Sequence, residues 1–450
     1  MTEKTKFQSF VDVLFSEKTF FLYAVSCMVV IPLGEFITEL MGILFVSQPI
    51  IFSVYGLLGA FLVAGKMAFR PSPRHWSDVF FFTSLIFMFI SLIFSKDIAR
   101  AVRNDPNGTN EYAMYFVAYY CLMFAGFQLR SIKYRKVILY ILAALSFLEG
   151  IIGVFQMRYM SLVGMMHGKM FDSPYVYGLT QNSNYYGCLS VLFVGACIGC
   201  FFFLAKKLWQ KIVFALMSLF AIYVAYGTMA RACWIAIGIL FVVYGIIFTV
   251  KHIKHKENKE YSLYMKIFYI GLGVCIAGAV LFYFLNSEMR YKVDQTFSEI
   301  SQLGTGYFIH FGSGRGYLWQ YCLEAIPKNW VVGVGLDNLY YAFTSSDHWI
   351  ETMYYSNRAH NTFLHILTTQ GVFGFANYIA LLVFCWVNAA KRISKGEDED
   401  SKITWIFFAM FVAYLFASFF NCRVFNVELY FYILLGAMVP RASEEVKING

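Results

Sequence analysis

Long apolar runs separated by shorter polar stretches follow one another along the whole chain. About twelve of these runs approach the ~20 residues that an α-helix needs to cross a bilayer. The pattern predicts an all-α, polytopic membrane protein with about 12 transmembrane helices. The predicted spans are Phe20–Leu33, Gly42–Ala64, Val79–Phe94, Tyr112–Phe127, Val137–Phe155, Tyr185–Leu204, Ile212–Tyr226, Ala232–Val250, Met265–Leu285, Thr362–Val387, Ile403–Phe420 and Val424–Val439.

One polar interruption, residues 286–360, is much longer than the others and lies late in the chain. Apolar residues recur at helical spacing from Leu318 to Ala325 and Pro327 follows, which predicts a short helix inside this loop. Because long loops on a rigid scaffold often carry function, we expect the active site there. The predicted parts are about nine spans in 1–285, a large extracytoplasmic loop in 286–360, and about three spans with a short tail in 361–450.

Composition and charge agree with a membrane location. The 450 residues are 59% hydrophobic and 14% charged, whereas soluble domains carry about 25% charged residues. The net charge of +9 resides in loops that the span count places on the side of the N-terminus, which predicts cytoplasmic termini. This distribution explains the charge without nucleic acid, and no nucleic-acid partner is expected. The basic positions include Arg70, Arg130, Lys133, Arg135, Lys136, Lys206, Lys207, Lys211, Lys251, Lys391, Arg392, Lys395 and Arg441.

Three further patterns concern the spans themselves. The first apolar run follows Lys18 without a small-residue cleavage site after it, which predicts a retained span rather than a removed signal. One C-x-x-C lies within an apolar run without a second pair, which favours core packing over metal or redox chemistry. Two small-residue pairs, Gly195/Gly199 and Gly273/Ala277, predict close helix contacts.

Arg231 interrupts the apolar stretch Ile212–Val250, which is too long for one crossing at about 1.5 Å per residue. The stretch is therefore predicted to form two spans with a tight turn at the arginine, on the outer side. An arginine within the bilayer costs at least about 2.5 kcal/mol. Two interpretations remain open: a side chain that reaches the interface, or an anion-binding group that faces the bundle.

Arg315 lies in the glycine-rich segment Gly312–Gly316, at or near the N-terminus of the predicted loop helix, with Ser313 as a candidate cap. Free backbone N–H groups and the helix dipole favour an anion at such a position. A cation is unfavourable there unless an anion lies beside it. The segment is not a Walker loop, because no Lys-Ser/Thr follows. An ordinary surface arginine is the alternative.

His360 ends the long loop directly before an apolar span and can exchange a proton near neutral pH. Asn361 beside it is a candidate to hydrogen-bond a sugar, whereas His365, about one turn further, is more typical of a structural residue. A structural role is also the alternative for His360. The acidic residues of the loop, such as Asp347 and Glu351, show no metal-ligand spacing, so neither a metal nor another cofactor is expected.

Two arginines on one side suit a diphosphate, because a guanidinium binds phosphate oxygens in bidentate fashion. Nucleotide sugars are not expected outside the cytoplasm, so glycan transfer there needs a donor with its own activation, such as a polyprenyl diphosphate. The hypothesis is an inverting glycosyltransferase. Arg231 and Arg315 would stabilise the leaving lipid diphosphate, and His360 would accept or orient the proton of the acceptor hydroxyl.

Several motifs, taken in order, resemble the family of O-antigen ligases and related polysaccharide polymerases. The resemblance rests on the order and the outer-side placement of the motifs, and it departs at Ala230, where the family often has Ser. The motifs are Gln181-Asn182-Ser183-Asn184, Thr228-x-x-Arg231, Ser313-Gly314-Arg315-Gly316-x-x-Trp319, Pro327, Gly333-x-Gly335, Ala359-His360-Asn361-x-x-x-His365 and Gly371-x-x-Gly374.

The resemblance implies a bacterial inner-membrane enzyme that moves a glycan from undecaprenyl diphosphate to a glycan, lipid or protein acceptor. It does not separate ligase from polymerase. Arg231 and Arg315 match the family's functional arginines, and His360 matches its loop histidine. Asn184 lies in the family's Asn-bearing segment, so Asn184 and Asn361 are expected to bind substrate.

Two other functions stay open at this point. One is a flippase or exporter of lipid-linked saccharides, which would need polar groups deep in the bundle. Glu149 and Gln156 are the few candidates for such groups, and the sequence suggests no clear partner for either. The other is a structural or assembly partner in polysaccharide synthesis.

Overall fold

The computed structural model describes residues 6–41, 47–72, 75–103, 111–159, 175–180, 182–302, 311–346 and 358–441. These residues form helices and no strands, and ten of the helices are long and apolar enough to cross a membrane. Two shorter apolar helices add to them, so every predicted span overlaps a helix within the described residues. The prediction of an all-α polytopic membrane protein is confirmed, whereas the division into three parts stays a prediction.

The helices are numbered along the chain. The helix Ser183–Gly199 continues into a π-helical turn at Cys200–Leu204. The ten candidate spans and the two shorter apolar helices are α2 (Glu17–Met41), α3 (Ser47–Phe69), α4 (Trp76–Ile93), α6 (Ala113–Gln128), α7 (Ile132–Tyr159), α8 (Ser183–Gly199), α9 (Leu208–Gly227), α10 (Arg231–Lys254), α11 (Lys259–Leu285), α15 (Thr362–Lys395), α16 (Glu399–Ser418) and α17 (Phe425–Met438). The other helices are α1 (Lys6–Leu14), α5 (Ile98–Val102), α12 (Ser287–Ser301), α13 (Phe311–Ala325) and α14 (Leu339–Phe343).

The centre of the bundle is formed by α6 and α17, whose backbones approach closely at Gly126 and Gly436. At about 1.5 Å per residue, the 16 residues of α6 and the 14 of α17 span roughly 24 and 21 Å. This is less than the ~30 Å of a hydrocarbon core. Arg441 N donates to Phe127 O at 3.0 Å and so aligns the two helices at one end.

Ion pairs connect the helix ends that carry most of the basic residues, and we call this side the basic end. Arg70 Nε lies 3.1 Å from Asp12 Oδ1, and Lys251 Nζ lies 3.2 Å from Glu397 Oε1. These contacts join helix ends that the predicted alternation of loops places on one side. The opposite side, which carries the long loop, is called the loop end.

Only one of the two predicted small-residue pairs makes a close helix contact. A side chain at Gly195 or Gly199 would overlap Met410 or Ile406 of α16, so these glycines let α8 and α16 approach. The prediction for Gly273 is wrong, because nothing lies within 4 Å of the place where its side chain would be. Gly273 belongs to α11, which is mostly exposed. The prediction that the C-x-x-C packs in the core is confirmed, because Cys197 and Cys200 are both free and buried.

The helix α15 is interrupted at Gly371, where part of the long loop lies against it. Gly371 has φ 67° and ψ −174°, a conformation that is essentially restricted to glycine. Around this break, Val372 N donates to Trp330 O at 2.7 Å and Val334 N donates to Thr368 O at 2.9 Å. These hydrogen bonds fix the second half of the long loop to the bundle.

We expect Gly371→Ala to destabilise the protein by ~2 kcal/mol or more, because strained backbone at a non-glycine residue costs about 1–3 kcal/mol. The added Cβ would also lie 2.2 Å from Val331 O, and rotation of a side chain cannot relieve a backbone clash. Thermal unfolding in detergent measures the loss. Gly273→Ala, which meets nothing within 4 Å, is the control, and equal melting temperatures for both variants would contradict the account.

Candidate functional site

Arg231 is the first residue of α10 and directly follows a three-residue turn after α9, as predicted. Its side chain is only 15% exposed and is ion-paired: Nη1 lies 3.0 Å from Glu299 Oε2, and Nη2 donates to Glu299 Oε1 at 3.2 Å. Nη1 also donates to Thr296 Oγ1, and Nη2 donates to Ser313 Oγ. The guanidinium therefore faces α12 and α13 of the long loop.

Arg315 begins the regular part of α13, directly after three residues with left-handed backbone. The φ angles are 65° at Gly312, 62° at Ser313 and 88° at Gly314. Backbone N–H groups in such turns and at helix N-termini can bind anions. In this protein, Gly312 N donates to Glu299 Oε2 at 3.1 Å, so a carboxylate already occupies part of this surface.

The guanidinium of Arg315 has no ion-pair or hydrogen-bond partner in the part of the chain that the structure describes. Burial lowers the pKa of this group, and the nearby charge of Arg231 lowers it further. A desolvated cation beside a second cation is unfavourable until an anion joins them. The two arginines that the sequence singled out therefore lie together, and within the described ranges only Arg231 is paired.

His360 lies close to Arg315. Trp319, one helical turn after Arg315 in α13, binds Ala359, the residue directly before His360. Trp319 Nε1 donates to Ala359 O at 3.0 Å, and His360 itself has a left-handed φ of 47°. Its Nδ1 is buried without a hydrogen-bond partner among the described residues. Burial lowers the pKa of the His360 imidazole to about 3, and the charges of Arg315 and Arg358 add to this effect. The imidazole is therefore neutral near pH 7.

The two asparagines that were predicted to bind substrate also lie at the loop end. Asn361 Oδ1 accepts hydrogen bonds from Phe363 N and Leu364 N, both at 3.0 Å, and so caps α15. The backbone oxygen of Asn184, in the first turn of α8, accepts from Asn421 Nδ2 at 2.6 Å. Direct contact with substrate stays a prediction for both residues.

A buried charge cluster next to these residues was missed by the sequence reasoning. Glu111, His365 and Arg423 are each only 3–4% exposed. Arg423 Nε donates to Glu111 Oε1 at 3.0 Å, and His365 Nε2 is paired with Glu111 Oε2. Burial alone would raise the pKa of Glu111, but the charges of Arg423 and His365 lower it to about 2. The Glu111 carboxylate is therefore ionised, and its two oxygens are paired with Arg423 and His365.

Arg358 was also missed as an individual residue. Its Nη1 donates to the Tyr185 hydroxyl at 2.7 Å, and its guanidinium lies 5.4 Å from the centre of the Tyr185 ring. One signal in the sequence could have drawn attention to Arg358 and Arg423. Both lie on the side of the bundle where the positive-inside rule expects few basic residues. A basic residue on that side is therefore a candidate for a specific structural or functional role.

Glu149 and Gln156, the polar groups within α7, do have partners, so the expectation that neither has a clear one is wrong. Gln156 Oε1 accepts from Tyr177 N at 3.0 Å and from Gly178 N at 2.9 Å, and its Nε2 donates to Gly178 O. Glu149 Oε2 accepts from Leu179 N at 3.5 Å. Both side chains hold the backbone of the segment before α8.

No group of three or more His, Cys, Asp or Glu side chains suitable for a metal ion occurs among the described residues. The loop residues Asp347 and Glu351 and the motif residue Gln181 lie outside the described ranges.

A comparison with protein families supports the relation that these residues suggest. Residues 215–379 match the family described as O-antigen ligase. The matched segment includes Arg231, Arg315 and His360, the three residues that the fold brings together. The likeness to the O-antigen ligase family therefore covers the middle of the chain, residues 215–379. Within this segment, the order of short motifs corresponds to a physical cluster at the loop end. Glu111, Asn184 and Arg423 reach the same cluster from outside the matched segment.

A curated relative is the exopolysaccharide production protein ExoQ of Rhizobium meliloti (strain 1021). It is 31% identical over 97 residues, a stretch that covers 20% of this chain and 22% of ExoQ. The chain thus aligns with less than a quarter of the length of that relative. The ten candidate membrane-spanning helices indicate a multi-pass membrane protein, and residues 215–379 of it match the O-antigen ligase family.

Proposed function

We propose that this protein is a glycosyltransferase of the O-antigen ligase and polymerase type. It would transfer or polymerise a glycan that is attached to undecaprenyl diphosphate, at the outer face of the bacterial inner membrane. The observation that carries the proposal is Arg315, desolvated beside Arg231 and His360 and unpaired within the described part of the chain. Two guanidinium groups at one site suit a diphosphate, whose oxygens each can bind in bidentate fashion.

An apolar groove that starts near Arg231 supports a lipid-linked donor. It lies between α9, α10 and α11 and has a volume of about 1020 Å³. It begins at the loop end with Tyr226, Trp234 and Met289 and continues to Val250 near the basic end. From Trp234 to Val250 the helix rises roughly 24 Å, most of the ~30 Å of a hydrocarbon core. A polyprenyl tail would lie in this groove while its diphosphate meets the arginines.

The proposed step is a direct displacement that inverts the anomeric centre. The acceptor hydroxyl oxygen bonds to the anomeric carbon while the bond from that carbon to the diphosphate oxygen breaks, and the electron pair stays on the departing lipid diphosphate. Arg231 and Arg315 stabilise the charge that grows on this leaving group. The acceptor's proton passes to the neutral imidazole of His360. The step as written uses no metal ion.

The orientation in the membrane is part of the proposal. The basic end would face the cytoplasm, with both termini there, because basic residues concentrate in cytoplasmic loops. The loop end would then face the outside, where a donor must carry its own activation. Accessibility of single introduced cysteines to an impermeant thiol reagent in intact cells tests this placement.

Transfer by the purified protein tests the function itself. With a lipid-linked donor and a glycan or lipid acceptor in detergent, we expect formation of the joined product and release of the lipid diphosphate. Movement of the donor across vesicles without transfer would instead identify a flippase or exporter. Folded protein with neither activity would point to an assembly role in polysaccharide synthesis.

The pH dependence of transfer tests the role of His360. Because the pKa of His360 is lowered to about 3, the imidazole is neutral throughout the range from about pH 5 to 8. We therefore expect kcat/KM to show no acid limb from His360 in that range. The His360→Gln variant is the control, because a limb caused by titration of the donor persists in it. A limb near pH 6.5 that disappears in His360→Gln would contradict the assignment.

A further inference from the structure

We propose that Glu299 is a resident counter-ion of the donor site, whose carboxylate takes the place of a donor phosphate group in the empty protein and leaves it when the diphosphate binds. Glu299 thereby determines which anions can enter. This inference rests on the proposed function, since it assigns the anion site at Arg231 to the donor diphosphate.

The carboxylate of Glu299 makes the contacts that a phosphate group would make. Its two oxygens face the two terminal nitrogens of Arg231, at 3.0 and 3.2 Å. Oε2 also accepts from Gly312 N at 3.1 Å, and Oε1 accepts from Gln295 Nε2 at 2.8 Å. Carboxylates and phosphates are both bound by the paired N–H groups of a guanidinium and by backbone N–H groups. The side chain is only 13% exposed, so it fills the site rather than bordering it.

The charges of the cluster show why this carboxylate has to leave. Arg231 and Arg315 carry two positive charges, and Glu299 supplies one negative charge to this pair, so Arg315 stays unpaired among the described residues. A diphosphate next to Arg315 would lie close to Glu299, and like charges a few ångströms apart repel strongly in a desolvated site. If Glu299 rotates away, the diphosphate can pair with both arginines and the repulsion disappears.

Displacement of a bound side chain also confers specificity. A small anion such as inorganic phosphate or pyrophosphate offers only its charge to offset the loss of the Arg231–Glu299 pair. A lipid-linked donor adds the burial of its tail in the apolar groove, which favours binding by about 25 cal/mol for each Å² of apolar surface removed from water. Glu299 would therefore exclude free anions and admit the donor.

The alternative role for Glu299 is structural, namely to orient Arg231 for catalysis. The two roles predict opposite results when the charge is removed but the shape is kept. In Glu299→Gln, the amide oxygen can still accept from Gly312 N, so the local fold is retained. If Glu299 is a counter-ion, removing its charge raises the affinity of the site for added anions. If Glu299 orients Arg231, removing its charge lowers that affinity.

Isothermal titration of the full-length protein in detergent with inorganic pyrophosphate tests the proposal without any turnover. We expect Glu299→Gln, and also Glu299→Ala, to bind pyrophosphate about tenfold more tightly than the unchanged protein, or more. Asp294→Asn is the matched control, because it lies on α12, removes the same charge and is bonded to Tyr283 instead. Equal affinity in Glu299→Gln and the unchanged protein, or an equal gain in Asp294→Asn, would overturn the proposal.

Steady-state transfer gives the second measurement. Pyrophosphate should inhibit Glu299→Gln about tenfold more strongly than the unchanged protein. A large loss of kcat without a gain in pyrophosphate affinity would instead assign Glu299 an orienting role. If the unchanged protein shows no transfer at all, the proposed function fails. The titration still decides whether Glu299 competes with added anions for the site at Arg231.

Discussion

Arg315→Ala lowers the rate of glycan transfer by about 10²–10³-fold, the usual cost of removing one group that stabilises charge in a transition state. Arg315 is desolvated and without a partner among the described residues, so its charge is available for the departing diphosphate. The fold should survive the change, because no described hydrogen bond or ion pair is lost. Release of lipid diphosphate in the purified transfer assay measures the effect.

Two variants serve as controls for Arg315→Ala. Arg315→Lys keeps the charge but loses the bidentate fork, so we expect an intermediate rate. Arg290→Ala removes an arginine from the exposed face of α12, where its Nε and Nη2 donate to backbone oxygens, and transfer should be close to normal. Full transfer by well-expressed Arg315→Ala would end the proposed mechanism.

Glu111→Gln is expected to destabilise the protein by about 3–5 kcal/mol, the cost of breaking a buried ion pair by removing one partner. The variant leaves Arg423 buried without its counter-charge and weakens the pairing of His365. Thermal unfolding in detergent, followed by intrinsic fluorescence, measures the loss. Glu288→Gln, which changes a half-buried carboxylate bonded to Tyr175, should alter the melting temperature much less.

The double variant Glu111→Gln with Arg423→Met separates charge from packing. A buried ion pair that is replaced as a whole often costs little, so the double variant should regain much of the stability that Glu111→Gln loses. If the double variant is as unstable as the sum of its two single variants, the pair does not act as a unit.

The same carboxylate sets an acid limit for the fold. The pKa of Glu111 is lowered in the folded protein to about 2 from an ordinary value of 4.5, so the folded state favours the ionised form. Its contribution is complete above about pH 4.5 and is lost as the pH falls toward about 2. Glu111→Gln should lack this part of the acid sensitivity.

The sequence predicted three members of the site because each stands out from its immediate neighbours. Arg231 interrupts an apolar stretch, Arg315 lies in a glycine-rich turn before a helix, and His360 borders a span. These are local signals, and the structure agrees with the local geometry in each case: the start of α10, the start of regular helix in α13, and the residues before α15. It also brings the three residues to one end of the bundle.

The partners of these residues could not be predicted in the same way. Arg231 pairs with Glu299, 68 residues later, and Arg423 pairs with Glu111, 312 residues earlier. No spacing rule links residues at such separations, because the pairing depends on which helix ends the bundle brings together. Glu149 and Gln156 were misjudged for the same reason, since their partners are backbone groups of a segment more than 20 residues away.

The sequence by itself determined that this is a helical membrane protein, where its spans lie and which side carries the basic residues. Those features follow from the length of apolar runs and from the alternation of charge, and both can be counted along the chain. Only the tertiary structure decided that Arg231 is held by Glu299 while Arg315 has no partner among the described residues. A charge is paired or exposed according to what packs around it, and packing is settled by contacts between helices that are distant in the sequence.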